Sequence, residues 1–131
     1  MRFLLDTHIW LWSLLEPSRL GRRTAAALDN PANELWLSPI SVWETLMLAE
    51  RRRVVLRPDA ERWVRANLER LPIREAPLNA EVAMASRTLA IPSDDPADRF
   101  VAATAHVYEL TLVTADVRLR KVPHITVLPN T

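Results

Sequence analysis

Four acidic residues stand where a soluble domain seldom leaves acids without a role. Asp6 ends the apolar run Phe3-Leu4-Leu5, and Glu44 lies inside the apolar pattern around Val42 and Trp43. Asp98 falls in the loop-then-helix stretch from Ser93 to Ala105, and Asp116 follows Leu112-Val113-Thr114. Each acid has an ordinary alternative. Asp6 could cap a helix, Glu44 could pair with an arginine, Asp98 could be a first-turn acid, and Asp116 could be a turn residue. Taken together they raise a different question. Two carboxylates 4 Å apart repel by about 4 kcal/mol at an effective dielectric near 20. Such a cluster persists when it is protonated, screened or bound to metal. Mg²⁺ or Mn²⁺ suits an all-oxygen donor set and keeps several waters. An ion held there activates water and stabilises a phosphoryl oxyanion, so the chemistry implied is phosphodiester hydrolysis. Thr7 and Thr114, beside two of the acids, offer hydroxyls to orient a carboxylate or a water. Asp95 suits a helix cap next to the site, and Asp94 reads as a solvated loop residue.

The elements that must position these acids follow from pattern. Arg2 to Asp6 reads as a short buried strand, and Thr7 to Leu15 as a helix with almost no polar face. Ser18 is expected to cap a helix from Arg19 to Leu28. Glu34 to Leu37 is a second strand, and Ser38-Pro39 opens a helix whose apolar stripe is Val42, Trp43, Leu46, Met47 and Ala49. Pro58-Asp59 starts a helix reaching about Leu71, and Ile73 to Ala76 is a brief strand. Asn79 caps a helix over Ala80 to Leu89. Asp95 at the cap and Pro96 at the first position start the next helix, which runs to about Glu109. Thr111 to Thr114 is a strand, Asp116 to Leu119 a helical turn, and Ile125 to Leu128 a last strand. Strands alternating with helices imply a parallel sheet covered on both faces. In such a sheet, ligands gather outside the carboxyl ends of the strands, where Asp6 and Asp116 fall.

Composition excludes several classes. The 131 residues suffice for one domain with a real core, and 49% apolar content excludes a disordered chain. No apolar run approaches the roughly 20 residues needed to span a membrane, and an acid at position 6 argues against a signal peptide. The absence of cysteine excludes disulfides and thiolate metal sites and fits a cytoplasmic protein. A single glycine, Gly21, excludes a P-loop and a dinucleotide fingerprint. Net charge is only +1, but 16 of the 17 basic residues are arginine, whose planar fork suits phosphate. Arg51, Arg52, Arg53, Arg99, Arg118 and Arg120, with Lys121, are the candidates for contacts to the phosphates of a phosphodiester substrate. His8, His106 and His124 show no ligand spacing and read as structural.

Leu4-Leu5-Asp6-Thr7-His8, Ser41-Val42-Trp43-Glu44, Asp95-Pro96-Ala97-Asp98-Arg99 and Leu112-Val113-Thr114-Ala115-Asp116 together resemble the PIN domain, most of all the VapC-type ribonuclease toxins of toxin–antitoxin pairs. Each motif is short; their order and spacing across nearly the whole chain carry the resemblance. It implies a three-layer α/β fold with a five-stranded parallel sheet, and one domain over residues 1–131. It implies a Mg²⁺- or Mn²⁺-dependent endoribonuclease with Asp6, Glu44, Asp98 and Asp116 as its catalytic acids. Asp6, Asp98 and Asp116 would be the metal ligands, with Glu44 helping to orient the attacking water. Thr7, Asp95 and Thr114 would support them. His8 replaces the asparagine that many relatives carry, and Ala97 replaces an aromatic.

The resemblance also implies partners: an RNA substrate, a small antitoxin and a second copy in a homodimer. The helix from Thr7 to Leu15, extended by Trp43 and Trp63, is the expected apolar surface for the antitoxin. Other classes compete. An aspartyl-nucleophile phosphatase needs an acid two residues after Asp6, where His8 stands. A receiver domain needs a lysine after a late strand, and Lys121 follows the Asp116 turn instead. A non-catalytic PIN-like RNA-binding module fits poorly with all four acids present.

Overall fold

A computed structural model describes residues 1–70 and 72–131 of the chain. Its five strands are β1 (Arg2–Leu5), β2 (Glu34–Leu37), β3 (Ile73–Glu75), β4 (Thr111–Thr114) and β5 (Val127–Pro129). Six α-helices accompany them: α1 (Thr7–Leu15), α2 (Arg22–Asp29), α3 (Pro39–Glu50), α4 (Ala60–Arg70), α5 (Ala80–Thr88) and α6 (Pro96–Val107). The expectation that α4 reaches Leu71 falls, at that residue, outside the described residues. The sheet order is β3-β2-β1-β4-β5 and every pairing is parallel. This is the α/β arrangement expected from the sequence.

Alternation along the strands divides the core in two, because successive side chains point to opposite faces. Leu4 and Leu112 join Val101, Ala102 and Ala105 of α6 on one face. Phe3, Leu5 and Val113 join Ile9, Trp10 and Leu11 of α1 and Val64 of α4 on the other. The run Val101 to Ala105 is buried throughout. Its small side chains let α6 sit close to both α5 and α3.

Strand order fixes where a ligand can go. From β1 the chain steps to β2 and β3 on one side, then returns to β4 and β5 on the other. The reversal opens a crevice beyond the carboxyl ends of β1 and β4. Asp6 directly follows β1, and Asp116 lies two residues beyond β4.

Four expectations need correction. The segment after α1 is a 3-10 turn over Pro17–Arg19, and α2 begins only at Arg22. Its N-terminus is closed by distant chain rather than by Ser18: Asn130 Oδ1 accepts from Gly21 N at 2.7 Å, and Thr131 O accepts from Arg23 N at 2.9 Å. A Cβ at residue 21 would lie 1.9 Å from the Thr131 carbonyl carbon, so this approach requires the lone glycine. On α3 the buried positions are the polar Ser41 and Thr45, while Trp43 is 54% exposed. The last strand is Val127–Pro129 rather than Ile125 to Leu128, and Leu119–Lys121 forms a 3-10 turn past the expected one.

Helix α1 is apolar on several sides because it is buried on several sides. Ile9, Trp10 and Leu11 are at most 4% exposed. Trp63 of α4 meets Trp10 edge-on, with ring centroids 5.6 Å apart. Trp63 of α4 thus covers part of the α1 surface that the sequence assigned to a partner, while Leu15 at the end of the helix stays 40% exposed.

Candidate active site

Asp6, Glu44, Asp98 and Asp116 line one cavity of about 480 Å³ at the switch point. Asp95 and Arg118 line it beside them. The four acids expected to act together are brought together, although they come from four separate stretches of chain.

Asp6 is the N-cap of α1. Its Oδ1 accepts from Thr7 N at 2.8 Å and its Oδ2 from the Thr114 hydroxyl at 2.6 Å. The Thr114 hydroxyl also accepts from Asp116 N at 3.0 Å, so one side chain at the end of β4 orients two acids. The Thr7 hydroxyl donates to Ser41 Oγ at 2.9 Å, which ties α1 to α3 one residue from Asp6. Burial pushes Asp6 above the ordinary carboxylate range, against the two hydrogen bonds that favour its charge.

Glu44 projects from α3 three residues beyond buried Ser41. Burial raises its pKa, and the charges of Asp6 and Asp95 add to the effect. Asp98 lies in the first turn of α6, whose N-cap Asp95 accepts from Ala97 N at 2.9 Å. The Ser93 hydroxyl donates to Asp98 Oδ2 at 2.9 Å. Burial, followed by the neighbouring acids, pushes Asp98 up to about 6. Arg118 Nη2 reaches the same oxygen at 3.1 Å, but that guanidinium is shared and exposed, and burial outweighs it. Asp116 holds the better part of Arg118: its Oδ2 accepts from Nη2 at 2.8 Å, and its Oδ1 from Nε at 3.2 Å. These bonds keep Asp116 below the usual range.

The donor set fits a hard divalent cation. All four acids supply oxygen, and three carry raised pKa values, as expected where like charges gather out of water. Among the described residues no group of three His, Asp or Glu side chains is gathered tightly enough to hold an ion as the chain stands. A cation that keeps several waters needs only one or two direct carboxylates, and Arg118 supplies positive charge between Asp98 and Asp116 meanwhile.

The arginines divide. Arg118 lines the cavity. Arg51, Arg52 and Arg53, at the end of α3, and Arg120 with Lys121 are exposed outside it. Arg99 departs from the expectation. Its Nε donates to Ser86 O at 2.8 Å, its Nη1 to Ile91 O and Ser93 O at 3.1 and 3.0 Å, and its Nη2 to Leu89 O at 3.3 Å. A guanidinium turned onto four carbonyls is a clamp on the loop before α6, not a phosphate contact. It holds Ser93 and Asp95 where they support Asp98.

Sequence reasoning missed the clamp and three further lining residues, His8, Trp12 and Arg19. His8 and Trp12, four apart on a helix, share a face by spacing alone. Nothing in the sequence placed Arg19 beside them.

Comparison with known proteins agrees with this fold. The PIN domain family matches residues 3–125. Over 124 residues the chain is 36% identical to Ribonuclease VapC22 of Mycobacterium tuberculosis, covering 92% of each sequence. Among solved structures it is similar to VapBC2 from Rickettsia felis bound to a promoter DNA fragment, with TM-score 0.72, 15% identity and 98% of each chain covered. It is similar also to VapBC-1 from nontypeable Haemophilus influenzae, with TM-score 0.69, 18% identity and 98% of each chain covered. At those identities the structural likeness speaks for the fold. With a family match across nearly its whole length, this chain belongs to the PIN-domain family.

Proposed function

We propose that this chain is an endoribonuclease, the toxin of a toxin–antitoxin pair, and that residues 1–131 act as one domain. The observation that carries the reading is the convergence of Asp6, Glu44, Asp98 and Asp116 on one cavity at the switch point of the sheet. The 36% identity to a named ribonuclease supports the substrate class. Asp6, Asp98 and Asp116 are the residues to hold Mg²⁺ or Mn²⁺. When bound, the ion supplies a Lewis acid that makes water nucleophilic at neutral pH and takes up charge on a phosphoryl oxygen. Thr7, Asp95 and Thr114 fix the carboxylates. Glu44, held above the usual carboxylate range, accepts a proton from the attacking water at its side-chain oxygen. Arg118 is placed to leave Asp98 and Asp116 for a phosphate. Arg51, Arg52, Arg53 and Arg120 provide outlying contacts to the RNA backbone.

No described helix is long and apolar enough to cross a membrane. We place the protein in the cytoplasm, where its RNA substrate is found. The antitoxin surface moves from α1 to the half-exposed Trp43 and to a groove of about 660 Å³ lined by Leu46, Val54, Val55 and Leu56. Solved relatives described as VapBC complexes support a protein partner. Exposed Leu78 and Met84, beside and on α5, offer apolar contacts for a homodimer. Expression in cells tests the pairing. The chain alone should arrest growth, the Asp98→Asn chain should not, and the small protein encoded beside it should rescue growth and co-purify. Harmless expression of the wild-type chain, with no co-purifying neighbour, would defeat the toxin reading.

A further inference from the structure

One wall of the acidic cavity is neither acidic nor needed for metal. His8 and Trp12 stand on the same face of α1, with ring centroids 5.9 Å apart and planes inclined by 54°. The Arg19 guanidinium lies over the Trp12 indole, 4.2 Å from the ring centroid. All three line the cavity that holds the carboxylates.

This row is pre-arranged. Arg19 closes the 3-10 turn that begins at Pro17, and its N–H donates to Glu16 O at 3.0 Å. Asn130 Nδ2 donates to Arg19 O at 2.9 Å, stitching the turn to the segment after β5. The guanidinium is held on one face by Trp12 and at Nη1 by Glu16 Oε2 at 3.6 Å. Its side chain is still 54% exposed. A flat cation with one face on an indole leaves the other face for a second flat group. Bases stack on guanidinium planes as they do on aromatic rings, and stacking is tolerant of sequence but strongest for large bases. Because the row is fixed before binding, little side-chain freedom is lost when a base lands on it.

We propose that the His8–Trp12–Arg19 row is a base-stacking subsite, which receives an unpaired nucleobase of the RNA, a purine by preference, in the cavity beside the acids. The inference rests on the ribonuclease reading for its substrate class. Arg19 acts here through its plane, and its charge alone would serve a phosphate equally well. Lysine keeps the charge and loses the plane, which separates the two roles.

The test is fluorescence anisotropy with labelled single-stranded A8 and U8 RNA in chelator, so that cleavage does not intervene. Wild type should bind A8 more tightly than U8. Arg19→Ala and Arg19→Lys should both bind A8 about tenfold more weakly, within the range for loss of one stacked base, and should lose the preference over U8. The salt slope should fall for the alanine variant and stay unchanged for the lysine variant. Trp12→Leu, checked for an unaltered fold by circular dichroism, should match Arg19→Lys. Retention of wild-type affinity and base preference by Arg19→Lys would overturn the subsite. Cleavage assays with Mn²⁺ on the same chains keep the two readings apart. A wild type that cleaves RNA while Arg19→Lys binds normally refutes the subsite alone. A wild type that prefers A8 but cleaves nothing with Mn²⁺ refutes the ribonuclease alone.

Discussion

Replacing Asp98 by asparagine should stabilise the metal-free chain while abolishing cleavage. Asp98 is 15% exposed, and its pKa rises from 3.8 to about 6 on folding. The sign follows from where the proton sits. Between those values the folded chain keeps a proton that the unfolded chain has lost, so stability falls as pH rises through this window. The penalty is absent below about pH 3.8 and complete above about 6. At roughly 1.4 kcal/mol per pH unit it reaches about 3 kcal/mol at most. Asparagine keeps an acceptor for the Ser93 hydroxyl, 2.9 Å away, and loses only the charge on the exposed Arg118 contact. A net gain of about 2 kcal/mol is expected, a rise of roughly 6–8 °C in Tm for a domain of this size. Differential scanning calorimetry in chelator at pH 7.5 and pH 4.5 reads it. The variant should melt higher at pH 7.5, and the gap should shrink at pH 4.5. Saturating Mn²⁺, at 100 times its Kd, should add about 2.7 kcal/mol to wild type and much less to the variant, which reverses the order. An Asp98→Asn chain that melts below wild type in chelator at pH 7.5 would refute the reasoning, because Asp98 would then be a stabilising member of an ion pair.

Thr114→Val should lower stability by about 2–3 kcal/mol, read by urea unfolding, because it leaves buried Asp6 without the 2.6 Å hydroxyl donor. Thr114→Ser should restore most of the loss. Arg99→Ala should destabilise the chain by about 3 kcal/mol through the four carbonyls it frees, yet leave the salt slope of RNA binding unchanged. A reduced slope would return Arg99 to the RNA surface. Arg118→Ala should tighten Mn²⁺ binding, measured by calorimetry, by about two- to fivefold, the range an exposed ion pair allows. Unchanged affinity would mean that the guanidinium does not compete with the ion.

The acids were legible because local rules locate them. Asp6 and Asp116 fall where apolar strand runs end, and the Asp95-Pro96 cap sets Asp98 in a first turn whatever the tertiary structure. Helix α1 and strands β2 and β4 were legible for the same reason, since propensity and burial agree there. What could not be read depends on contacts far apart in sequence. The start of α2 is set by Asn130 and Thr131, more than a hundred residues away. The clamp role of Arg99 follows from a loop folding back over it, which no periodicity signals. The buried face of α3 carries Ser41 and Thr45 because α1 and α6 approach closely, and hydroxyls bonded to nearby oxygens suit that narrow space. Trp63 read as a surface for a partner because the sequence does not show that α4 folds back onto α1.

Cleavage chemistry tests the central claim most directly. If four carboxylates act on water, the RNA's own 2′-hydroxyl takes no part. Purified chain should cleave a structured RNA with Mn²⁺ or Mg²⁺ and stop in chelator, and each of Asp6→Asn, Glu44→Gln, Asp98→Asn and Asp116→Asn should fall by at least about a hundredfold. Mass spectrometry of the products should find no 2′,3′-cyclic phosphate, and a 2′-O-methyl group at the mapped scissile nucleotide should not prevent the cut. Cyclic phosphate ends, or full activity in chelator with the four variants unimpaired, would contradict the account.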